Sequence, residues 1–210
     1  QSGNDNDWQP VNLDHNDTLL DSPTNNFATL NSACNIGSAV LSDGNLKVTF
    51  DASTQAHVTS TFAVTSGKWY AEFTFNTVSG PAFTITEEQA AGNASSYANL
   101  DKSFEIIASI GKYRFNGGST VTHGAPLADG DTMMVAFDAD NEIVYWGKNG
   151  LWAEGDGTSD ATTLAGASGI DISGENFSQY IFGLQDASGA ANGVVTANFG
   201  QQPFKYDPPE

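Results

Sequence analysis

The sequence predicts an all-β protein, a two-sheet antiparallel β-sandwich of the jelly-roll type, on three observations. Runs such as Leu46-Lys47-Val48-Thr49-Phe50 alternate apolar and polar residues with the two-residue period of a half-buried strand. The chain is rich in turn formers, with 22 glycines, and poor in the Lys, Arg, Met and Glu that support helices. Short runs of this kind recur between turn signals, with no strand-helix-strand alternation that would require a parallel sheet. With 210 residues, 39% of them hydrophobic, the chain can bury a core without disulfides or metal.

Residues 1–26 are dominated by Asn, Asp and other polar side chains and read as an N-terminal arm or connector, with Trp8, Leu13, Leu19 and Leu20 its only large apolar groups. The sandwich is expected over 27–204, and 205–210 form a C-terminal tail whose prolines end the last strand. After the Asp43-Gly44 turn comes the strand Leu46 to Phe50. Phe62 and Val64 close another, and Ser66-Gly67 turns the chain into Trp69, Ala71, Phe73 and Phe75, an aromatic face assigned to the core. The segment 87–101 starts like a helix but is broken by Gly92 and Ser95-Ser96, so a loop is expected. Strands resume at Phe104 to Ile110 and Lys112 to Phe115. Met133 to Phe137 is almost continuously apolar, as suits a central strand covered on both faces, and Ile143 to Trp146 returns beside it. The stretch 154–174 is long and irregular, and strands at Tyr180 to Leu184 and Val194 to Phe199 complete a count of ten or eleven.

Charge narrows the partners. The formal net charge is −18, and Arg114 is the only arginine. Nucleic-acid affinity comes from basic side chains displacing counterions, so no nucleic-acid partner is expected. No run approaches the roughly twenty apolar residues of a spanning helix, and anionic lipid would repel the chain, so no membrane insertion is expected either. The single Cys34 makes no internal disulfide and reads as a small buried apolar group. Gln1 opens the chain without a Met or a basic and apolar leader, and reads as the edge of a fragment.

Several motifs, in order, resemble one family. Ser66-Gly67-Lys68-Trp69-Tyr70-Ala71-Glu72, then Asp129-Gly130-Asp131 leading through Val135-Ala136-Phe137-Asp138 to Lys148-Asn149-Gly150, is similar to the SPRY domain. The closing Ala197-Asn198-Phe199-Gly200-Gln201-Gln202-Pro203-Phe204 resembles the ending of SPRY-like proteins of marine bacteriophages and uncultured viruses, as does Asp21 to Asn31 near the start. The resemblance spans about residues 21 to 209. It implies a concanavalin-like sandwich that binds through its loops, does no chemistry and belongs to a virion. The chain departs from the pattern at Ser32, where proline is usual, and within Met133-Met134-Val135, where a glycine is.

Carboxylate, histidine, cysteine and serine patterns bear on catalysis. A retaining glycosidase needs two carboxylates roughly 5 to 5.5 Å apart, hence acids two residues apart on one strand face. Asp138 and Asp140 have that spacing but sit at a hairpin turn, where Asp serves turn geometry. Glu87 and Glu88 are adjacent and point apart. His15, His57 and His123 show no ligand spacing, Cys34 has no base near it in sequence, and no Ser lies in a Gly-x-Ser-x-Gly elbow. Asp138 to Glu142 begins like a calcium loop but lacks its Gly and closing Glu. No catalytic residue, metal site or cofactor is therefore assigned. Binding residues are sought among aromatics in or beside Gly, Asn and Ser-rich loops, which selects Tyr97, Tyr113 with its neighbour Arg114, and Trp152.

The sequence reading is a non-catalytic SPRY-like binding module of a phage virion protein, in a tail fibre, appendage or head fibre, that recognises a host surface protein or glycan. Other virion proteins, or a second copy of the chain, are the further partners expected. A structural role in capsid decoration or fibre assembly is the alternative, and a glycan-cleaving enzyme the third.

Overall fold

The computed structural model describes residues 26–37, 39–51, 56–87, 102–157, 160–186 and 192–209. These form sixteen strands, in chain order β1 (Leu30–Ile36), β2 (Val40–Ser42), β3 (Lys47–Thr49), β4 (His57–Val64), β5 (Lys68–Thr77), β6 (Pro81–Thr86), β7 (Ser103–Ile107), β8 (Lys112–Phe115), β9 (Val121–Thr122), β10 (Thr132–Asp138), β11 (Ile143–Lys148), β12 (Leu151–Ala153), β13 (Asp160–Ala161), β14 (Ile170–Asp171), β15 (Tyr180–Asp186) and β16 (Val194–Asn198). They build two antiparallel sheets. One has seven strands in the order β1-β4-β15-β6-β7-β8-β9, the other nine in the order β13-β12-β11-β10-β5-β16-β3-β2, with β14 against β11. The all-β sandwich expected from the alternating pattern is the observed architecture.

Alternation builds the core. Ala71, Phe73 and Phe75 of β5 and Met133, Val135 and Phe137 of β10 point inward from the nine-stranded sheet and meet Phe83, Ile85, Phe104 and Leu184 of the other, all essentially inaccessible to solvent. Phe73 and Phe83 touch across the gap with ring centroids 5.1 Å apart. The continuous apolar run of β10 is explained by a second, smaller cluster on the outer face, where Met134, Ala136 and Trp152 are buried under Tyr70, Tyr145, Leu164 and Tyr206.

Several local expectations are corrected. The strand expected to run to Ile110 stops at Ile107, because a 3-10 turn over Ala108–Ile110 ends on Gly111 in the left-handed region, φ 63°. A side chain at Gly111 would strike the Gly124 carbonyl, so glycine is required there twice over. Sixteen strands exceed the ten or eleven expected, among the described residues, because β2, β9, β12, β13 and β14 are only two or three residues long and carry no period of their own. β6 is a strand beyond those expected: Phe83 and Ile85 alternate with Thr84 and Thr86, but it opens on a proline beside the Ser79-Gly80 turn. Cys34 is half-buried rather than buried.

Candidate interaction surface

The residues expected to bind are scattered. Tyr97 lies outside the described residues. Tyr113 lies on β8 with its ring on the inner face, 6.0 Å from Phe104 and 5.7 Å from His123. Arg114, next along the strand, faces the other way and forms an ion pair with the buried Glu105 of β7. Trp152 is 4% exposed in the outer cluster, edge-on to Tyr70 at 6.4 Å. Tyr113, Arg114 and Trp152 thus occupy three different faces and share no surface.

The acids are tied to turns. Asp138 accepts the backbone N–H groups of Asp140 and Asn141 at 3.1 and 3.0 Å, and Asp140 accepts that of Gly67 at 3.0 Å. Asp129 accepts Val78 N–H at 2.8 Å, and Asp171 accepts that of Ser173 at 2.9 Å. The Asn141 side chain and those backbone donors hold the Asp138 carboxyl below its usual range, and Ser173 does the same for Asp171. Glu87 is pulled down to about 2 by hydrogen bonds from Lys102 and Ser178. Among the described residues no three His, Cys, Asp or Glu side chains come together as a metal site would need, and no helix is long and apolar enough to cross a membrane.

What pattern reading missed is an apolar mouth between the sheets. Trp69 was assigned to the core by parity with Ala71, Phe73 and Phe75, yet it is 44% exposed, and Phe62 beside it is 47% exposed. Trp69 stands near the start of β5, where the facing strand β4 bulges: Ile181 pairs with Ala63 but Gly183 with Thr59. Three residues of β4 therefore face one of β15, the strand bends, and the inter-sheet space opens instead of closing over the indole. A cavity of about 120 Å³ results, lined by Phe27, Phe62, Trp69, Tyr180, Phe182 and Phe199 among others.

Three polar side-chain groups at this mouth already have internal partners. The Trp69 indole N–H donates to Ser66 O at 2.8 Å, and Ser60 Oγ donates to Phe62 O at 2.9 Å. The Tyr180 hydroxyl donates to Glu142, and burial together with that carboxylate raises its pKa. Two acids stand beside the mouth, since Glu142 accepts that hydroxyl and Asp140 accepts Gly67 N–H, while Asp138 and Lys68, paired in register, border a second cavity that Trp69 shares.

The opposite face of β5 is closed by the tail. Glu72, 4% exposed, accepts the backbone N–H groups of Lys205 and Tyr206, each at 2.8 Å, and the Tyr70 hydroxyl at 3.0 Å. The Phe204 ring packs edge-on against Tyr70 with centroids 4.7 Å apart. Phe204 and Tyr206 thus lie against the nine-stranded sheet. The Glu72 anchor carried no advance signal, because a Glu in a strand ordinarily faces water.

No family model matches the chain, and no curated protein does. Solved structures do. The SPRY domain of human HERC1 superposes with a TM-score of 0.61 at 14% identity, covering 83% of this chain and 99% of that one. A second human SPRY domain gives 0.54 at 10% identity, covering 80% of this chain and 98% of the other. The TRIM65 PSpry domain gives 0.54 at 9% identity over 82% of this chain and 92% of that one. Two sheets in this strand order, with nearly the full length of each matched domain accounted for, establish that the chain has the SPRY-domain fold.

Proposed function

We propose that the chain is a non-catalytic interaction module of a phage virion protein, carried on a tail fibre, appendage or head fibre and engaging a host surface component. The observation that carries the binding role is the Phe62–Trp69 mouth, where two large apolar side chains stand exposed around a cavity while Asp140 beside it caps the backbone at Gly67. Exposed aromatics clustered around a concavity are what recognition surfaces are made of. The SPRY fold supports the reading, and the phage context rests on the resemblance of the Asn198-Phe199-Gly200-Gln201 ending.

An antibody raised against the chain tests the placement: it is expected to decorate the appendages of purified particles. The purified chain is expected to bind the cells those particles infect without releasing reducing sugar ends from their surface polysaccharide. Undecorated particles would overturn the virion assignment, and sugar release that grows with chain concentration would overturn the non-catalytic one.

A further inference from the structure

We infer that the mouth between Phe62 and Trp69 seats one apolar side chain of a partner protein segment whose flanking residues are basic. This rests on the interaction-module reading and adds the site and the chemistry of what fills it. The size sets the scale of the occupant. The cavity measures about 120 Å³, and an apolar cavity on the order of 150 Å³ takes up a benzene-sized group. One leucine or phenylalanine side chain is of that order, whereas a lipid tail or a folded surface is not.

The chemistry of the walls selects protein over sugar. A glycan needs hydrogen-bonding groups placed to meet its hydroxyls, but the Trp69 indole N–H, Ser60 Oγ and the Tyr180 hydroxyl already have internal partners. The mouth offers apolar contact, and its yield comes from area removed from water.

Charge then selects among proteins. Two acids stand beside the mouth, Glu142, which accepts the hydroxyl of the lining Tyr180, and Asp140, which accepts Gly67 N–H two residues before Trp69, within a chain of net charge −18. Electrostatic complementarity steers encounter and rejects like-charged partners. It therefore disfavours a second copy of the chain. It also disfavours the chain's own residues 1–25, which hold five Asp and no Lys or Arg, although their Leu19 and Leu20 fall within a few residues of Phe27 at the rim. A segment with Lys or Arg on either side of a leucine or phenylalanine satisfies both demands.

The test uses the full isotope-labelled chain and a short Gly/Ser peptide with one central leucine flanked by lysines. Its controls replace the lysines by glutamates or the leucine by glycine. The lysine-flanked peptide is expected to shift the Trp69 indole N–H resonance and to bind more tightly than either control. Phe62→Ser and Trp69→Ala are each expected to weaken it about tenfold, with the circular dichroism spectrum unchanged. Asp140→Asn keeps the acceptor for Gly67 N–H and removes the charge, so it serves if the larger truncations unfold, and it is expected to weaken the peptide about threefold, a loss that added salt erases.

Equal affinity for the glutamate-flanked peptide would overturn the charge assignment. Tighter binding after removal of residues 1–25 would make the arm the occupant and overturn the proposal. Binding that ignores Phe62→Ser, Trp69→Ala and Asp140→Asn would place the contact elsewhere and sink this inference while leaving the module reading intact. A chain that binds neither the peptide nor host cells would remove both.

Discussion

Trp69 and Tyr70 are neighbours on one strand, and their surroundings could hardly differ more. Tyr70 points to the outer face of the nine-stranded sheet, where Phe204 and Tyr206 lie over it and Glu72 holds the tail by two backbone hydrogen bonds. Trp69 points toward the inter-sheet space and is left 44% exposed, because the bulge in β4 draws the opposing wall away. Which side of a strand is covered is thus decided by elements more than a hundred residues away in sequence, not by the strand. The parity that assigned Trp69 to the core is correct as geometry and wrong as burial.

Substitutions should separate the two environments. Phe73→Ala, on the same side of β5 as Trp69 but fully buried, is expected to cost about 4 kcal/mol in urea unfolding. A loss under about 1 kcal/mol would mean that this side of the strand is open along its length. A second covered surface, the outer face of β4, gives a pH signature. Burial lowers the His57 pKa from 6.5 to about 4, and burial lowers that of His123 in the same direction. The unfolded state then binds more protons between those values, so stability is complete above about pH 6.5 and declines as pH falls toward 4, by about 3 kcal/mol for His57 alone. His57→Gln should remove that share of the slope in denaturation curves taken across the window. The depressed Glu87 carboxyl acts lower, below about pH 4.5, and in the same sense. A slope unchanged in His57→Gln would show that the histidine is solvated.

Glu72→Ala is expected to cost about 2 kcal/mol, since hydrogen bonds to a charged acceptor are worth more than neutral ones but the freed amides regain water. It should also expose the bond after Lys205 to trypsin. A protease-resistant tail in that variant would mean that ring packing by Phe204 and Tyr206 suffices to hold it. Trp69→Ala should be the mildest, under about 1 kcal/mol, because nearly half of the side chain already meets solvent. A loss as large as that of Phe73→Ala would close the mouth and remove the contrast.

The alternation of Leu46 to Phe50 and of Ala71 to Phe75 and the apolar run of β10 were enough to read two sheets and a central strand, because period-two patterning reports local geometry directly. The mouth was not legible. It depends on a register shift between β4 and β15, strands separated by over a hundred residues, and Phe62 looks no different in sequence from a core phenylalanine. Glu72 was illegible for a related reason: its partners are backbone groups of the tail, and backbone amides carry no sequence signature. Tyr113 and Trp152 were drawn toward a binding role by the glycine-rich stretches beside them, while the strands β8 and β12 turn both rings away from open solvent.

Asn26 borders the cavity at Trp69, and Pro208 and Pro209 border a second cavity shared by Trp69 and Tyr70. Entrance and exit of the sandwich therefore sit at one corner, as in domains that tolerate insertion into a host chain. Anything that reaches the Trp69 and Tyr70 rings from that corner therefore passes the backbone at Asn26 on one side and the two prolines on the other.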